Sequence, residues 1–176
     1  MADFNKAYRL MQANEGGYGN DPDDPGGETY KGIARKKQPD WIGWIIIDGM
    51  KKQPNFPISL DNNQNLQSEI QRFYKVLFWD KIGGDGIKDQ DIAFSIFDFA
   101  VNSGVSSSVG LAQNVVGASC DGMVGPKTIQ AINSFEPNHF ISAFTVEKCR
   151  KYIAICKKRP DSKKYFFGWI DRAVNT

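Results

Sequence analysis

The stretch "NEGGYGNDPDDPGGETYKGI", Asn14 to Ile33, decides how this chain is read. Glu15 stands directly before the pair Gly16-Gly17. Asp21, Asp23, Asp24 and Glu28 then alternate with glycines and prolines, and the tract ends on Thr29, Tyr30 and a short apolar step to Ile33. Upstream, Phe4, Ala7, Tyr8 and Met11 recur at helical spacing, and Asp3 is placed to cap them. That spacing predicts a first helix from residue 4 to residue 14 or 15. Gly16-Gly17 would end it, because glycine takes the left-handed C-terminal conformation at little cost. The Gly, Pro, Asn and Asp of residues 18–34 predict turns and a small β-hairpin near Glu28 to Ile33.

Glu15 follows Met11 by one helical turn, so it continues the apolar face. It also sits where unpaired carbonyls and the helix dipole present negative potential. Both effects disfavour the ionised carboxylate, which suits a general acid. The position alone also allows a solvated helix-end residue. Asp24 lies nine residues on, and Thr29 five beyond it. Two carboxylates flanking a sugar bond are the usual equipment for glycoside hydrolysis, one donating a proton and the other serving the water or the developing cation. A threonine hydroxyl can help hold that water. Asp21 and Asp23 compete with Asp24 for the second role. All three also suit turns, since aspartate bonds its own backbone readily. Glu28 is expected to be exposed on the hairpin.

Outward from this tract, residues 40–51 predict a strongly apolar helix. Residues 64–80 predict an amphipathic one, with Leu66, Ile70, Phe73, Val76 and Leu77 on one side. "KIGGDGIKD", Lys81 to Asp89, reads as a lobe boundary. "DIAFSIFDFAVNSG" after it is apolar almost all round, which marks a buried central helix. "SSVGLAQNVVG" is a shorter helix. "DGMVGPKTIQAIN" reads as a turn and then a helix with Pro126 in its first position. A long helix from Pro137 to Lys158 and an aromatic-rich C-terminal segment follow. The expected fold is mainly α with one small β element. It divides into residues 1–85 and residues 86–176, either as two lobes or as one continuous globule.

Composition narrows the classes. The 176 residues are 41% hydrophobic and 12% aromatic, enough for a real core. A formal net charge of +2 is too small for a nucleic-acid footprint. Three cysteines, Cys120, Cys149 and Cys156, do not make a disulfide framework. Cys149 and Cys156 fall on one helix face and read as buried thiols. His139 is the sole histidine, which leaves little for a metal centre or a Ser-His triad. The acidic loop lacks EF-hand spacing, and no cofactor is implied. The first residues show no signal peptide. "WIGWIII", Trp41 to Ile47, is too short to cross a bilayer. The expectation is synthesis in the cytoplasm without stable membrane insertion. The sequence carries no signal of oligomeric state.

The run Glu15-Gly16-Gly17-Tyr18, Asn20-Asp21-Pro22, Asp24, Gly26-Gly27, Thr29 and Gly32-Ile33 closely resembles the opening of glycoside hydrolase family 108. These are lysozyme-like N-acetylmuramidases, also labelled secretion activator proteins. The Glu–Asp–Thr order is similar to that of the T-even phage endolysins, with the Asp-to-Thr gap one residue shorter here. "FDFAVNSG" at 97–104, "DGMVGP" at 121–126 and "FFGWIDR" at 166–172 resemble the family's companion peptidoglycan-binding segment. "FYKVLFWDKIGGDGI" at 73–87 bridges the halves in the family manner. "PDWIGWIIIDGMKKQPNFP" departs from it most.

The resemblance implies a lysozyme-like helical fold and cleavage of the β-1,4 bond between N-acetylmuramic acid and N-acetylglucosamine. It implies Glu15 as catalytic acid, with Asp24 and Thr29 as its partners. The partner would be peptidoglycan, reached after release, as for a phage or prophage endolysin or a bacterial protein with a dedicated route. Tyr18 and Tyr30 flank the motif, and each either lines a sugar subsite or belongs to the core. Asp98 and Asn102, one turn apart on the central helix, either pin a neighbouring element or line the sugar cleft. Asp121-Gly122 reads as a tight turn. Trp41, Trp44, Trp79 and Trp169 read as core before platform. Competing readings are a lytic transglycosylase, a chitinase, and a wall-binding module without catalysis.

Overall fold

The computed structural model describes residues 1–12, 16–21 and 26–176. The chain forms two compact units, Tyr8–Lys75 and a second made of Met1–Ala7 with Val76–Thr176. It passes between them within its first helix and again at Lys75–Val76.

Helix α1 spans Phe4–Gln12. Asp3 Oδ1 accepts from the Lys6 amide at 3.0 Å and satisfies one of the amides a helix start leaves unpaired. Its apolar stripe is buried, with Ala7 and Met11 at 0% exposure.

In the Tyr8–Lys75 unit, strands β1 (Tyr18–Gly19), β2 (Thr29–Tyr30) and β3 (Ile33–Ala34) form one antiparallel sheet in the order β1-β2-β3. The expected hairpin is β2–β3, with Thr29 opposite Ala34 and Tyr30 opposite Ile33. Lys31 and Gly32 close it with φ of +44° and +80°. A two-residue turn with both φ positive matches the right-handed twist of the strands. Lys31 takes the left-handed region without glycine's freedom. Its carbonyl accepts the Tyr74 hydroxyl at 2.7 Å, which holds the turn. Strand β1 has two residues, too few to show any alternation in sequence.

Helix α2 (Gly43–Met50) buries Trp44 and Ile47. Helix α3 (Gln64–Tyr74) starts at Asn63, whose side chain accepts from the Leu66 amide at 2.9 Å. It buries Leu66, Ile70 and Tyr74. Each fully buried aliphatic side chain of this kind contributes about 1.5–3 kcal/mol. A π-helical turn, Lys75–Trp79, continues α3. The expected stripe does not survive this turn: Val76 and Leu77 are 46% and 38% exposed, whereas Trp79 is 0%. A wider turn shifts the phase of every residue after it, so a 3.6-residue period cannot be carried through.

The other unit is built on α4 (Gln90–Ser103), capped by Asp89, whose Oδ1 accepts from the Asp91 and Ile92 amides at 3.0 and 2.9 Å. It is buried along its middle, as its composition predicts. Helices α5 (Val105–Val115), α6 (Pro126–Asn133), α7 (Pro137–Lys158) and α8 (Phe166–Val174) follow. Pro126 does take the first turn of α6. Phe4, Trp79 and Phe97 form an edge-to-face cluster, with Phe4–Trp79 and Trp79–Phe97 centroids both 5.7 Å apart. The "DGMVGP" turn is tied down by the buried Gln113. Its Nε2 donates to Asp121 Oδ1 at 2.8 Å and to the Met123 carbonyl at 3.0 Å, and its Oε1 accepts from the Gly122 amide at 2.9 Å. The architecture is the mainly α, lysozyme-like helical fold with a small sheet. Among the described residues, no helix is long and apolar enough to cross a membrane.

Candidate active site

Of the three candidate catalytic residues, Thr29 is described. Glu15 and Asp24 lie outside the described residues, as does Asp23. Thr29 opens β2 half-buried, with Gly19 opposite it on β1. A Cβ built on Gly19 would sit 3.2 Å from Thr29 Oγ1. The glycine therefore leaves the space around the hydroxyl that any larger residue would take.

The residue before Thr29 is anchored more heavily than the sequence suggests. Glu28 is not exposed on the hairpin: its side chain is 10% accessible and meets two cations. Arg35 Nε lies 2.8 Å from one oxygen and Lys51 Nζ 2.9 Å from the other. Tyr18 contributes a third contact, its hydroxyl donating to Glu28 at 2.9 Å. Arg35 also grips Asp48 with both terminal nitrogens at 3.0 and 2.7 Å, and Lys51 reaches the same carboxylate at 2.8 Å. The hydrogen bonds from Arg35, and then from Lys51, hold the Asp48 carboxyl down at about 2. Burial, with the bond to Glu28 second, pushes the Tyr18 hydroxyl above its ordinary value. Asp48 on α2 and Lys51, which caps it, are three apart, so that pair is legible in sequence. Its union with Glu28 and Arg35 is not, since it joins a hairpin to a helix. Fixing Glu28 at three points fixes the backbone on which Thr29 begins.

Tyr18 and Tyr30 separate in role. Tyr18 is half-buried, with its ring edge-on to Phe56 at 4.7 Å. Tyr30 is 1% exposed. Its hydroxyl donates to Asp61 at 3.0 Å and accepts from Gln67 Nε2 at 3.1 Å. It packs β2 against the unit's interior.

Asp98 and Asn102 stand on α4. Asp98 is 2% exposed, and both its oxygens are held by Arg172 of α8, at 2.7 and 3.0 Å. It pins α4 to α8. Asn102 is exposed and donates through Nδ2 to the Tyr152 hydroxyl at 2.8 Å. Trp44 and Trp79 are buried, and Trp41 and Trp169 are half-buried. Cys156 is buried, Cys149 intermediate and Cys120 exposed, all as free thiols. Among the described residues, no group of three potential metal ligands comes together.

The comparisons with known proteins bear on this geometry. The Glycosyl hydrolase 108 family matches residues 8–104, and the Predicted Peptidoglycan domain matches residues 107–174. No curated protein matches the chain. The solved structure of SagA from Brucella abortus is similar at 26% identity with a TM-score of 0.68, over 98% of this chain and 90% of that one. The first family match takes in the small sheet, the Glu28 anchor and the whole Glu15-to-Ile33 tract. Matched by it over more than half of its length, the chain belongs to the Glycosyl hydrolase 108 family and carries a peptidoglycan domain in its second half.

Proposed function

We propose that the protein is an N-acetylmuramidase, cleaving the β-1,4 bond between N-acetylmuramic acid and N-acetylglucosamine in peptidoglycan. Glu15 protonates the leaving glycosidic oxygen. Asp24 and Thr29 hold and activate a water on the opposite face of the sugar, which makes the reaction inverting. The observation that carries this reading is the glycosyl hydrolase match over residues 8–104, which contains Glu15, Asp24 and Thr29 in that order. The anchored start of β2 supports it, because a water-holding hydroxyl must be kept in place before substrate arrives. The protein acts at the bacterial wall after release from the cytoplasm, in the manner of an endolysin.

Mass spectrometry of products from purified peptidoglycan tests the reading directly. Reducing N-acetylmuramic acid ends are expected. Anhydro ends would replace the assignment with a lytic transglycosylase, and cleavage of chitin in preference to wall glycan would make it a chitinase. Glu15→Gln should retain the fold and lose wall lysis by about 10²–10⁴-fold, the range for removing a general acid. Lysis within twofold of the parent by a folded variant would remove Glu15 from the mechanism. Proton NMR of the first product should show inverted anomeric configuration; retention would remove the water-holding role of Asp24 and Thr29.

A further inference from the structure

A cavity of about 550 Å³ opens within the Val76–Thr176 portion of the chain, between the end of α4, with Asn102 and Ser103, and α5, α7 and α8. Trp169 and Ile155 give it an apolar lining. The Trp169 indole is held rigid, stacked on Tyr152 at 5.1 Å and on Tyr165 at 5.9 Å. Ser107 also lines the cavity, and its Oγ is buried without a hydrogen-bond partner among the described residues. Three cations complete the lining: Lys151, Lys158 and Arg159. Lys158 ends α7 and Arg159 caps it, so both complement the helix dipole. Lys151 lies two turns back, where the dipole gives it no such task.

We propose that this cavity binds the carboxylate-bearing peptide stem of peptidoglycan. The proposal rests on the reading of the chain as a peptidoglycan hydrolase. The glycan itself offers hydroxyl and N-acetyl groups, and three clustered cations add nothing to their recognition. The stem carries carboxylates for Lys151, Lys158 and Arg159. Its short aliphatic side chains suit Ile155 and the Trp169 edge. Lys151, Ile155, Lys158, Arg159 and Trp169 fall within the stretch matched by the peptidoglycan domain, so the cavity gives that domain a specific contact. Holding the stem there tethers the wall while the glycan is processed elsewhere on the chain, which raises the effective concentration of the scissile strand.

Calorimetry on the full chain tests this with three probes: a soluble muramyl tetrapeptide, a neutral N-acetylglucosamine oligomer and polyglycerol phosphate. The tetrapeptide is expected to bind and the neutral oligomer to bind more weakly at this site. Lys151→Gln with Arg159→Gln should weaken tetrapeptide binding by about tenfold or more, as should amidation of the peptide's carboxylates. Arg159 is exposed and Lys151 half-buried, and an unchanged unfolding midpoint shows that the variant folds. Absence of tetrapeptide binding, or equal binding by the double variant, overturns the proposal. Equal binding of polyglycerol phosphate and tetrapeptide also overturns it, because it shows a site for anions at large. Cleavage of peptide-free glycan is followed on the same preparation. Tetrapeptide binding without glycan cleavage upholds the stem site and removes the muramidase reading. Cleavage without tetrapeptide binding does the reverse.

Discussion

Asp98 stands on a helix otherwise given to Ile, Phe and Ala, with both its oxygens taken by Arg172. A carboxylate there is stable only because the guanidinium meets it with two parallel bonds. Removing one partner of a buried pair leaves the other charge uncompensated, at a cost of about 3–5 kcal/mol. Arg172 is 24% exposed, so water recovers part of that. Asp98→Asn is expected to cost roughly 2–4 kcal/mol in urea unfolding, with turnover per folded molecule unchanged. A fall in turnover beyond the loss of folded protein would return Asp98 to the sugar cleft. Gly19 gives the complementary case. Gly19→Ala places a methyl group 3.2 Å from Thr29 Oγ1. Stability should move by less than about 1 kcal/mol on a half-buried two-residue strand. Wall hydrolysis should fall severalfold, as a turbidity assay would show, because the displaced atom is the hydroxyl proposed to hold the water.

At the scale of elements, two tight turns depend on glycines that leave no room for a side chain. Gly84 lies against the Trp79 indole, and a Cβ there would overlap the ring. Trp79 cannot yield: it is 0% exposed, and its Nε1 donates to Asp85 at 2.6 Å. Gly84→Ala is therefore expected to destabilise by about 1–3 kcal/mol, read as a lowered urea midpoint with altered tryptophan fluorescence. In the 121–126 turn, Gly122 has φ +71° and packs on Ser106, while Gln113 supplies the bonds that hold the loop. Gln113→Ala would leave the Gly122 amide and the Met123 carbonyl without their partner. The expected cost is about 2–3 kcal/mol, and hydrogen exchange at Gly122 should accelerate. These turns explain "GGDG" and "DGMVGP" as requirements of packing.

At the scale of the whole molecule, stability should depend on pH in a way set by Lys148. This lysine is 1% exposed, and its Nζ donates to the Thr176 main-chain oxygen at 2.7 Å and to Ser95 Oγ at 3.3 Å. Burial pushes it down from 10.5 to about 8, against the attraction of Asp98. Below pH 8 the folded chain carries a charged, desolvated ammonium, and the full cost is present. Between pH 8 and pH 10.5 the folded state releases its proton first, so the unfolded state binds more protons and stability rises with pH. The shift from 10.5 to about 8 corresponds to a gain on the order of 3 kcal/mol. Above pH 10 the tyrosines act in the opposite sense. Burial raises the hydroxyls of Tyr8, Tyr30 and Tyr152, so the stability they contribute is lost as pH climbs through their folded values. Urea midpoints should therefore increase from pH 7.5 to about pH 9.5 and then turn over. Lys148→Met should flatten the rising limb. A rising limb of equal slope in that variant would show that another group titrates there.

The sequence by itself determined what rests on local periodicity and local backbone chemistry. The 3.6-residue spacing predicted α1 and α3, apolar composition α2 and α4, Asp3 and Pro126 marked helix starts, and the order of Glu15, Asp24 and Thr29 among glycines carried the family resemblance. It also narrowed Asp98 to two roles. Tertiary structure decided whatever depends on which element meets which. Arg172 meets Asp98 from 74 residues away. Glu28 became the anchor of Thr29 because α2 brings Lys51 to a hairpin and Arg35 folds back onto it. Tyr30 went inside because Asp61 and Gln67 were there to satisfy its hydroxyl. The π-helical turn after Tyr74 moved Leu77 outward and Trp79 inward. A charge or hydroxyl takes its energy from the partner that replaces water, and that partner is fixed only when the chain has packed.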